Sequence, residues 1–481
     1  MSEHGCPCSG WNRREFLATA GASVGLIPLH TLAATPPDAS SPSPRLKQPA
    51  VVRVAFLYPP SRTFADDPEG WWSWPGNEYD AEGRQRSYTE ALRKMQGKFG
   101  LNLQIVPDPL ATDQQIDQLA REIRSKSPDG LLLIMFYNRS LAHADRLLEA
   151  AEAANVPVIF FIGLGVKHGP ITRYRRPGLY FIQALDDFEA IEYGLRMIHT
   201  RKQLGQARLL SITEAKEARE GREKHFGITV RVIPFSEYAE QFVRMAPDRK
   251  MRDWIGGVKK GAAEIRGLTD AALENAARAH FALLSLLERH QADGLTMNCL
   301  RRGMLKPCIS FSALNNRLIP AACENDLPAV YTQLIGQSLT GRPGFQHNPC
   351  YETERNHYYA SHCTCATRLH GPEAPPLGYL LRRFAHTNEG SCAIQVFWQP
   401  DDPVTMVRYY PGEAPQIDVY AGRVVASHPM PPAAGCTTNV EIEITDRADA
   451  CQVQGHHNLL FCGDFARHFK RFAQLFKIPL V

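Results

Sequence analysis

Short, nearly wholly apolar runs alternate with helical patterns through the first half of this chain, and they restrict its fold more than any other feature. The runs cover residues 51–58, 131–136 and 156–162. Between them, a capping box formed by Thr112 and Gln115 opens an amphipathic helix. A strand that is apolar on both faces has to be covered on both sides. Repeated strand–helix units with short connections therefore predict a parallel, doubly wound sheet.

The rest of the chain divides into a second α/β region and a β-rich region. A long helix is predicted at about residues 270–290, strands at 294–299 and 308–311, and a further helix from near Asn325. After about residue 380, strand-like segments are separated by proline and glycine turns. The predicted fold class is α/β, with two doubly wound parallel-sheet domains followed by a β-rich C-terminal domain. The predicted boundaries are residues 50–215 for the N-terminal α/β domain, 216–378 for the second α/β domain, and 379–481 for the β-rich domain.

The N-terminus has the order of an export signal. Arg13 and Arg14 precede an uncharged stretch at residues 16–29, and small residues follow at 33–34. The paired arginines resemble a twin-arginine signal, which predicts a signal peptide at residues 1–34, the twin-arginine translocase as a partner, and a periplasmic or extracellular location. Residues 35–49 contain five prolines and three serines, as expected of a linker.

Charge and hydropathy argue against two classes of partner. The net charge is +4 with no polybasic run, so the sequence does not predict a nucleic-acid-binding protein. No apolar run reaches the roughly 20 residues that a membrane-spanning helix requires. We therefore expect that this protein neither binds nucleic acid nor spans a membrane.

Two carboxylates occur where a predicted strand gives way to a helix. Glu324 and Asp326 lie in the segment Ala-Ala-Cys-Glu-Asn-Asp at residues 321–326. Ligands bind at this edge of α/β sheets, and carboxylates suit either metal ligation or acid–base chemistry. Alternatively, Asn325 or Asp326 simply caps the next helix. A loop rich in glycine and proline at residues 341–356 and a histidine pair at 456–457 offer further polar groups.

Taken together, these segments resemble the L-fucose isomerase / L-arabinose isomerase superfamily, in particular its fucose-isomerase-like branch. The resemblance extends over most of residues 51–481. Its motifs are Cys323-Glu324-Asn325-Asp326, residues 340–345, residues 353–356 leading to Ser361-His362-Cys363, residues 404–406, residues 421–423 before 435–437, and His457 six residues before Gly463-Asp464.

This resemblance implies an enzyme that interconverts aldoses and ketoses with a divalent cation, usually Mn²⁺. By position, Glu324 matches a carboxylate that both ligates the metal and acts in acid–base catalysis, and His457 matches a histidine ligand. His362 falls where arabinose-isomerase-like members place a histidine near the metal. Members of the superfamily assemble as trimers or hexamers, so we expect a homo-oligomer that takes a sugar substrate.

The sequence departs from the family at the second carboxylate. Fucose isomerases place an aspartate about two dozen residues after the glutamate, and here that position is Asn348, which can ligate a metal but cannot act as a base. Either Glu352 supplies the carboxylate, or the protein is a non-catalytic exported carbohydrate-binding protein on the same scaffold. The candidate metal ligands are Glu324, Asn348, Glu352, His362 and His457, and the candidate catalytic residues are Glu324 and Glu352.

Two smaller expectations concern the backbone and the sugar. Asn325 replaces a family glycine at a position where we expect a positive φ, which asparagine tolerates. Trp72 and Trp74 offer indole rings that would stack on a sugar face, unless their loop packs into a domain or subunit interface. Asn356 is the third candidate substrate-binding residue.

Overall fold

The computed structural model describes residues 47–63, 80–164, 166, 171–300, 306–383, 391–429 and 436–481. The predicted signal peptide and most of the linker lie outside the described residues, as do Trp72 and Trp74. The described part of the chain is a mixed α/β structure that contains a five-stranded parallel sheet and an antiparallel barrel. No helix in these ranges is both long enough and apolar enough to span a bilayer.

The first sheet is parallel throughout and has the strand order β2-β1-β3-β4-β5. Its strands are β1 (Val51–Leu57), β2 (Asn102–Ile105), β3 (Gly130–Met135), β4 (Val158–Gly163) and β5 (Leu179–Ala184), and its helices are α1 (Ala81–Phe99), α2 (Asp113–Lys126), α3 (Leu141–Ala153) and α4 (Phe188–Gln206). Successive residues of β1 belong alternately to two separate apolar clusters, so both faces of the sheet are buried. The predicted capping box of Thr112 and Gln115 is confirmed at the start of α2.

The second sheet has the order β11-β10-β6-β8-β7 and is parallel except at the edge strand β7. Its strands are β6 (Arg208–Thr213), β7 (Arg219–Arg222), β8 (Thr229–Pro234), β10 (Gly294–Met297) and β11 (Ala321–Cys323). The helices of this region are α5 (Phe235–Arg244), α6 (Arg249–Gly261), α7 (Asp270–Arg289), α8 (Cys308–Asn316) and α9 (Leu327–Thr340).

The strand predicted at residues 308–311 is wrong, because these residues open α8. Residues 308–312 are all buried, and a short apolar run of this kind fits a buried helix as well as a buried strand. A separate three-stranded sheet has the order β15-β14-β9. Its members are β9 (Glu264–Arg266), β14 (Tyr379–Arg383) and β15 (Cys392–Val396).

A closed antiparallel barrel has the strand order β12-β13-β18-β17-β16-β19. Its strands are β12 (Gly344–Glu352), β13 (His357–His362), β16 (Pro403–Tyr410), β17 (Gln416–His428), β18 (Thr438–Ile444) and β19 (Asn458–Cys462), and helix α10 (Ala466–Leu475) follows. The first two barrel strands thus precede residue 379. They follow α9 directly, so the barrel is joined closely to the second sheet.

Helix α9 packs against the barrel at a glycine. A methyl group on Gly336 would overlap the ring of Phe461 in β19. We expect Gly336→Ala to lower the free energy of unfolding by about 1–3 kcal/mol, because overpacking outweighs the gain in helix propensity. In α1, Gly97 has no atom within 4 Å of such a methyl group, so Gly97→Ala is expected to stabilise the fold by about 0.4–1 kcal/mol. Denaturant unfolding measures the free energy of unfolding of both variants. The same change in both would contradict the packing argument.

The outer face of the barrel contains a carboxylate held between two histidines. Glu441 is buried, and His357 and His428 lie 2.7 and 2.6 Å from its two oxygens. Burial alone would raise the pKa of Glu441, but hydrogen bonds from His357, His428 and Tyr359 lower it to about 2.

This lowered pKa makes a contribution to stability that depends on pH. The contribution of Glu441 is complete above the unfolded-state pKa, near 4.3, and is lost as the pH falls towards 2. We therefore expect Glu441→Gln to be less stable than the wild type at pH 6, with the difference shrinking between about pH 5 and pH 2. Urea unfolding at several pH values measures the difference, and a difference that stays constant over this range would contradict the assignment.

Candidate metal centre

The loop between β11 and α9 holds Glu324 in an unusual backbone conformation. Glu324 and Asn325 have φ values of 63° and 54°, so the positive φ expected at Asn325 is confirmed. The side-chain oxygen of Asn325 accepts a hydrogen bond of 2.7 Å from the Ser211 hydroxyl of β6. Asp326 then caps α9 by accepting a hydrogen bond from the Ala329 amide. The turn therefore presents Glu324 at the carboxyl edge of the second sheet.

The barrel meets this edge through β12. The side-chain oxygen of Gln346 accepts a 2.7 Å hydrogen bond from the amide of Cys323. Asn348 lies two positions further along β12 and so shares the face of Gln346. In the register of β12 and β19, His347 pairs with Asn458, so Asn348 follows this pair on β12 and His457 immediately precedes β19. The same strand face thus brings Asn348 to the side of the barrel where Glu324 lies.

Glu324 lies between two histidines from distant parts of the barrel sequence. The Nε2 atom of His362 is 3.6 Å from one carboxylate oxygen, and the Nε2 atom of His457 is 3.5 Å from the other. The two imidazole rings are nearly perpendicular, with centroids 5.5 Å apart. Two ligand atoms about 2.1 Å from a shared cation are about 3.0 Å apart at a right angle and about 3.4 Å apart at the tetrahedral angle. The observed separations are thus close to those of ligands around one ion.

A carboxylate behind His457 fixes the orientation of its ring. The Nδ1 atom of His457 donates a 2.9 Å hydrogen bond to Asp326, which leaves the lone pair of Nε2 directed at Glu324. Arg408 is buried and donates both to Asp326 and to the backbone carbonyl of His457. His457 itself has a positive φ of 59°. Such conformations persist where the surroundings over-determine them, as at functional sites.

Three polar atoms on this side of the barrel are buried without a hydrogen-bond partner. They are Nε2 of His362, Nε2 of His457 and the side-chain oxygen of Asn348. A buried polar atom without a partner is costly, by about 1–3 kcal/mol. All three can donate a lone pair to a cation, and Glu324 adds a negative charge. The residues present therefore fit a divalent cation.

The electrostatics of the site favour an ionised Glu324. The nearby imidazole of His362 lowers the pKa of Glu324, and this outweighs the opposing effect of burial. Burial lowers the pKa of His362, which favours the neutral imidazole that binds metals. For Asp326, burial acts to raise the pKa, but the hydrogen bonds from His457, the Ala329 amide and Arg408 lower it overall.

Glu324 belongs to two overlapping groups of potential ligands. One group adds Cys323 and His362, and the other adds His456 and His457. Within each group the ligand atoms lie within 4.8 Å of one another. The described residues therefore contain clusters that can hold a metal ion. A set of imidazoles with one carboxylate and an amide oxygen suits transition cations better than Ca²⁺ or Mg²⁺.

Two of the candidate residues lie elsewhere on the barrel. Glu352 is at the end of β12, four residues or roughly 13 Å beyond Asn348, and its carboxylate accepts hydrogen bonds from Arg355. Asn356 lies in the turn between β12 and β13, where its amide group binds the backbone of Ala448 and Ala450. The structure thus brings Glu324, His362 and His457 into contact and places Asn348 on the strand face that meets Cys323, whereas Glu352 and Asn356 lie elsewhere.

Sequence reasoning missed the supporting role of Asp326 and Arg408. Asp326 belongs to the Cys-Glu-Asn-Asp motif, where the sequence suggests a helix cap. It does not indicate the hydrogen bond with His457, which lies 131 residues away. Arg408 lies in a strand-like run, two residues beyond the motif at residues 404–406. Comparison with known proteins found no matching family model and no significant match among curated proteins.

Proposed function

We propose that this protein is a divalent-metal-dependent aldose–ketose isomerase of the fucose/arabinose type, with two doubly wound α/β domains, that is exported through the twin-arginine route. The observation that carries the proposal is the meeting of Glu324, His362 and His457 around a space that both Nε2 atoms face without a hydrogen-bond partner. Asn348 adds a third buried atom without a hydrogen-bond partner, on the same side of the barrel.

Each of these residues has a defined part in such a reaction. A bound divalent cation such as Mn²⁺ would polarise the sugar carbonyl and stabilise the negative charge that develops on the sugar oxygens. Glu324 is ionised and is the residue that we assign to move the proton between C1 and C2 of the sugar. Asp326 holds the His457 ring with its Nε2 atom facing the site.

One observation favours a second candidate, a non-catalytic exported carbohydrate-binding protein. Proton transfer between two carbons is commonly shared by two acid–base groups, and at this site the second family carboxylate is replaced by Asn348. Glu352 is engaged with Arg355 at the end of β12 instead. A site with a single free carboxylate binds a metal and a sugar without necessarily turning the sugar over.

Metal analysis combined with proton exchange distinguishes these functions. The purified protein is stripped with a chelator, reloaded with Mn²⁺ and incubated in D₂O with a panel of aldoses and ketoses. The isomerase proposal requires both turnover and exchange of the C2 proton, lost on stripping and restored by Mn²⁺. Saturable sugar binding without exchange would support the binding protein, and the absence of both would exclude the two proposals. Detection of the mature N-terminus in the periplasm or medium tests the export route.

A further inference from the structure

A second cluster of potential metal ligands lies at the other end of β19. His370 comes from the segment between β13 and β14, Asp402 immediately precedes β16, and Cys462 is the last residue of β19. His457, at the first site, precedes β19 by one residue and is five residues from Cys462, roughly 16 Å along an extended strand. The two clusters share no residue.

The three ligand atoms lie around a common point and make only weak contacts with one another. The Nε2 atom of His370 is 3.6 Å from the Oδ2 atom of Asp402 and 4.0 Å from the sulfur of Cys462, and that sulfur is 3.6 Å from the same Oδ2 atom. The nitrogen–oxygen separation exceeds that of a good hydrogen bond, and the contacts of the sulfur are weak thiol contacts, including one of 3.6 Å to the Nδ1 atom of His370. A point equidistant from the three atoms lies about 2.2 Å from each, which matches Zn²⁺ bonds to nitrogen, oxygen and sulfur.

The backbone holds each of these residues in place. Cys462 pairs with Val404 in the barrel, which brings the strand end next to Asp402. The carbonyl of Asp402 accepts a 2.9 Å hydrogen bond from the amide of Val424. The segment that carries His370 is closed by Arg368, whose guanidinium donates to two backbone carbonyls two and four residues beyond His370. The cluster is thus preorganised by contacts that do not involve the ligand atoms.

We propose that His370, Asp402 and Cys462 form a second, independent site for a transition cation of the Zn²⁺ class, with solvent in the fourth position. A thiol, an imidazole and a carboxylate together are typical of Zn²⁺ and related ions, whereas Ca²⁺ and Mg²⁺ require oxygen ligands. The side chain of Cys462 is buried while 37% of the His370 side chain is exposed, so the site opens towards solvent on the histidine side. The cation would join the segment between β13 and β14 to the barrel strands β16 and β19.

Co²⁺ is the probe for this site, because thiolate ligation produces a charge-transfer absorption that oxygen and nitrogen ligands do not. The full-length protein is stripped of metal and titrated with Co²⁺, and we expect the charge-transfer band to saturate. Cys462→Ser is expected to abolish the band. His370→Ala, at a partly exposed position that tolerates substitution, is expected to weaken Co²⁺ binding by at least about a hundredfold, since losing even a supporting partner of a ligand costs about 10–100-fold.

Two control variants assign the band to a site. Cys323→Ser removes the thiol next to Glu324 and is expected to retain the band, as is Cys451→Ser, which removes an exposed thiol. The proposal is overturned if the wild type shows no charge-transfer band. It is also overturned if the band survives both Cys462→Ser and His370→Ala, or is lost with Cys323→Ser alone. Because the readout is spectroscopic, its outcome does not depend on whether the protein is an isomerase.

Discussion

Under the proposed function, replacing Glu324 with glutamine is expected to reduce isomerase turnover by about 10²–10⁴-fold and to lower the affinity for Mn²⁺. Glutamine keeps the size of the side chain but loses its charge and its ability to accept a proton. Among the described residues of the centre, the other carboxylate, Asp326, is already paired with Arg408 and His457 and does not replace Glu324. Steady-state kinetics and metal content of the purified variant measure the two effects separately.

Two further glutamate substitutions serve as comparisons. Glu354→Gln removes an exposed carboxylate from the turn between β12 and β13 and is expected to leave metal content and turnover as in the wild type. Glu352→Gln is expected to lower turnover far less than Glu324→Gln, because Glu352 is held by Arg355 away from the histidines. A loss with Glu352→Gln that equals the loss with Glu324→Gln would instead place Glu352 in the reaction.

Asp326→Ala is expected to lower the free energy of unfolding by about 3–5 kcal/mol, the largest effect on stability that we expect from a single substitution here. It removes the partner of the buried Arg408 guanidinium, and a buried charge without its partner is strongly destabilising. It also removes the cap of α9, which contributes about 1 kcal/mol. Chemical denaturation measures the total.

A matched capping aspartate separates these two contributions. Asp187 caps α4 by the same kind of hydrogen bond but is exposed, and the buried Arg84 pairs with Asp186 rather than with Asp187. Asp187→Ala is therefore expected to lose only about 1 kcal/mol. Equal losses in the two variants would mean that the pairing with Arg408 contributes nothing. Asp326→Asn retains an oxygen for the cap and is expected to lower metal affinity by about 10–100-fold, since His457 loses its carboxylate partner.

The Glu324 and Asp326 substitutions test two different roles at the same site. Glu324 is assigned a direct part in binding and proton transfer, whereas Asp326 acts through His457 and is a positioning residue. The distinction predicts different responses of the two variants. Turnover of the Glu324 variant is expected to stay low at every pH, whereas excess metal is expected to restore part of the turnover of the Asp326 variant.

Local patterns were enough to predict three strands and one helix of the first sheet. The apolar runs of β1, β3 and β4 and the capping box of α2 depend on side chains within about a dozen residues of each other. The strand prediction at residues 308–311 is wrong because a short apolar run is compatible with either a buried strand or a buried helix. Only the packing of α8 selects the helix. The predicted positive φ at Asn325 succeeded because it is a property of one residue in one turn.

The composition of the candidate site could be read only in part before the fold was known. The carboxylates around Glu324 are visible as residue types that suit a metal, acid–base chemistry or a helix cap, and only the family resemblance selected the histidines at 362 and 457. The choice between Asn348 and Glu352 depends on strand register, because moving four residues along β12 carries a side chain roughly 13 Å away from the histidines. The pairing of Asp326 with Arg408 and His457 depends on closure of the barrel against α9, which joins residues 82 and 131 positions apart. Such contacts arise from the packing of whole layers, and a side chain has no local signature of a partner that far along the chain.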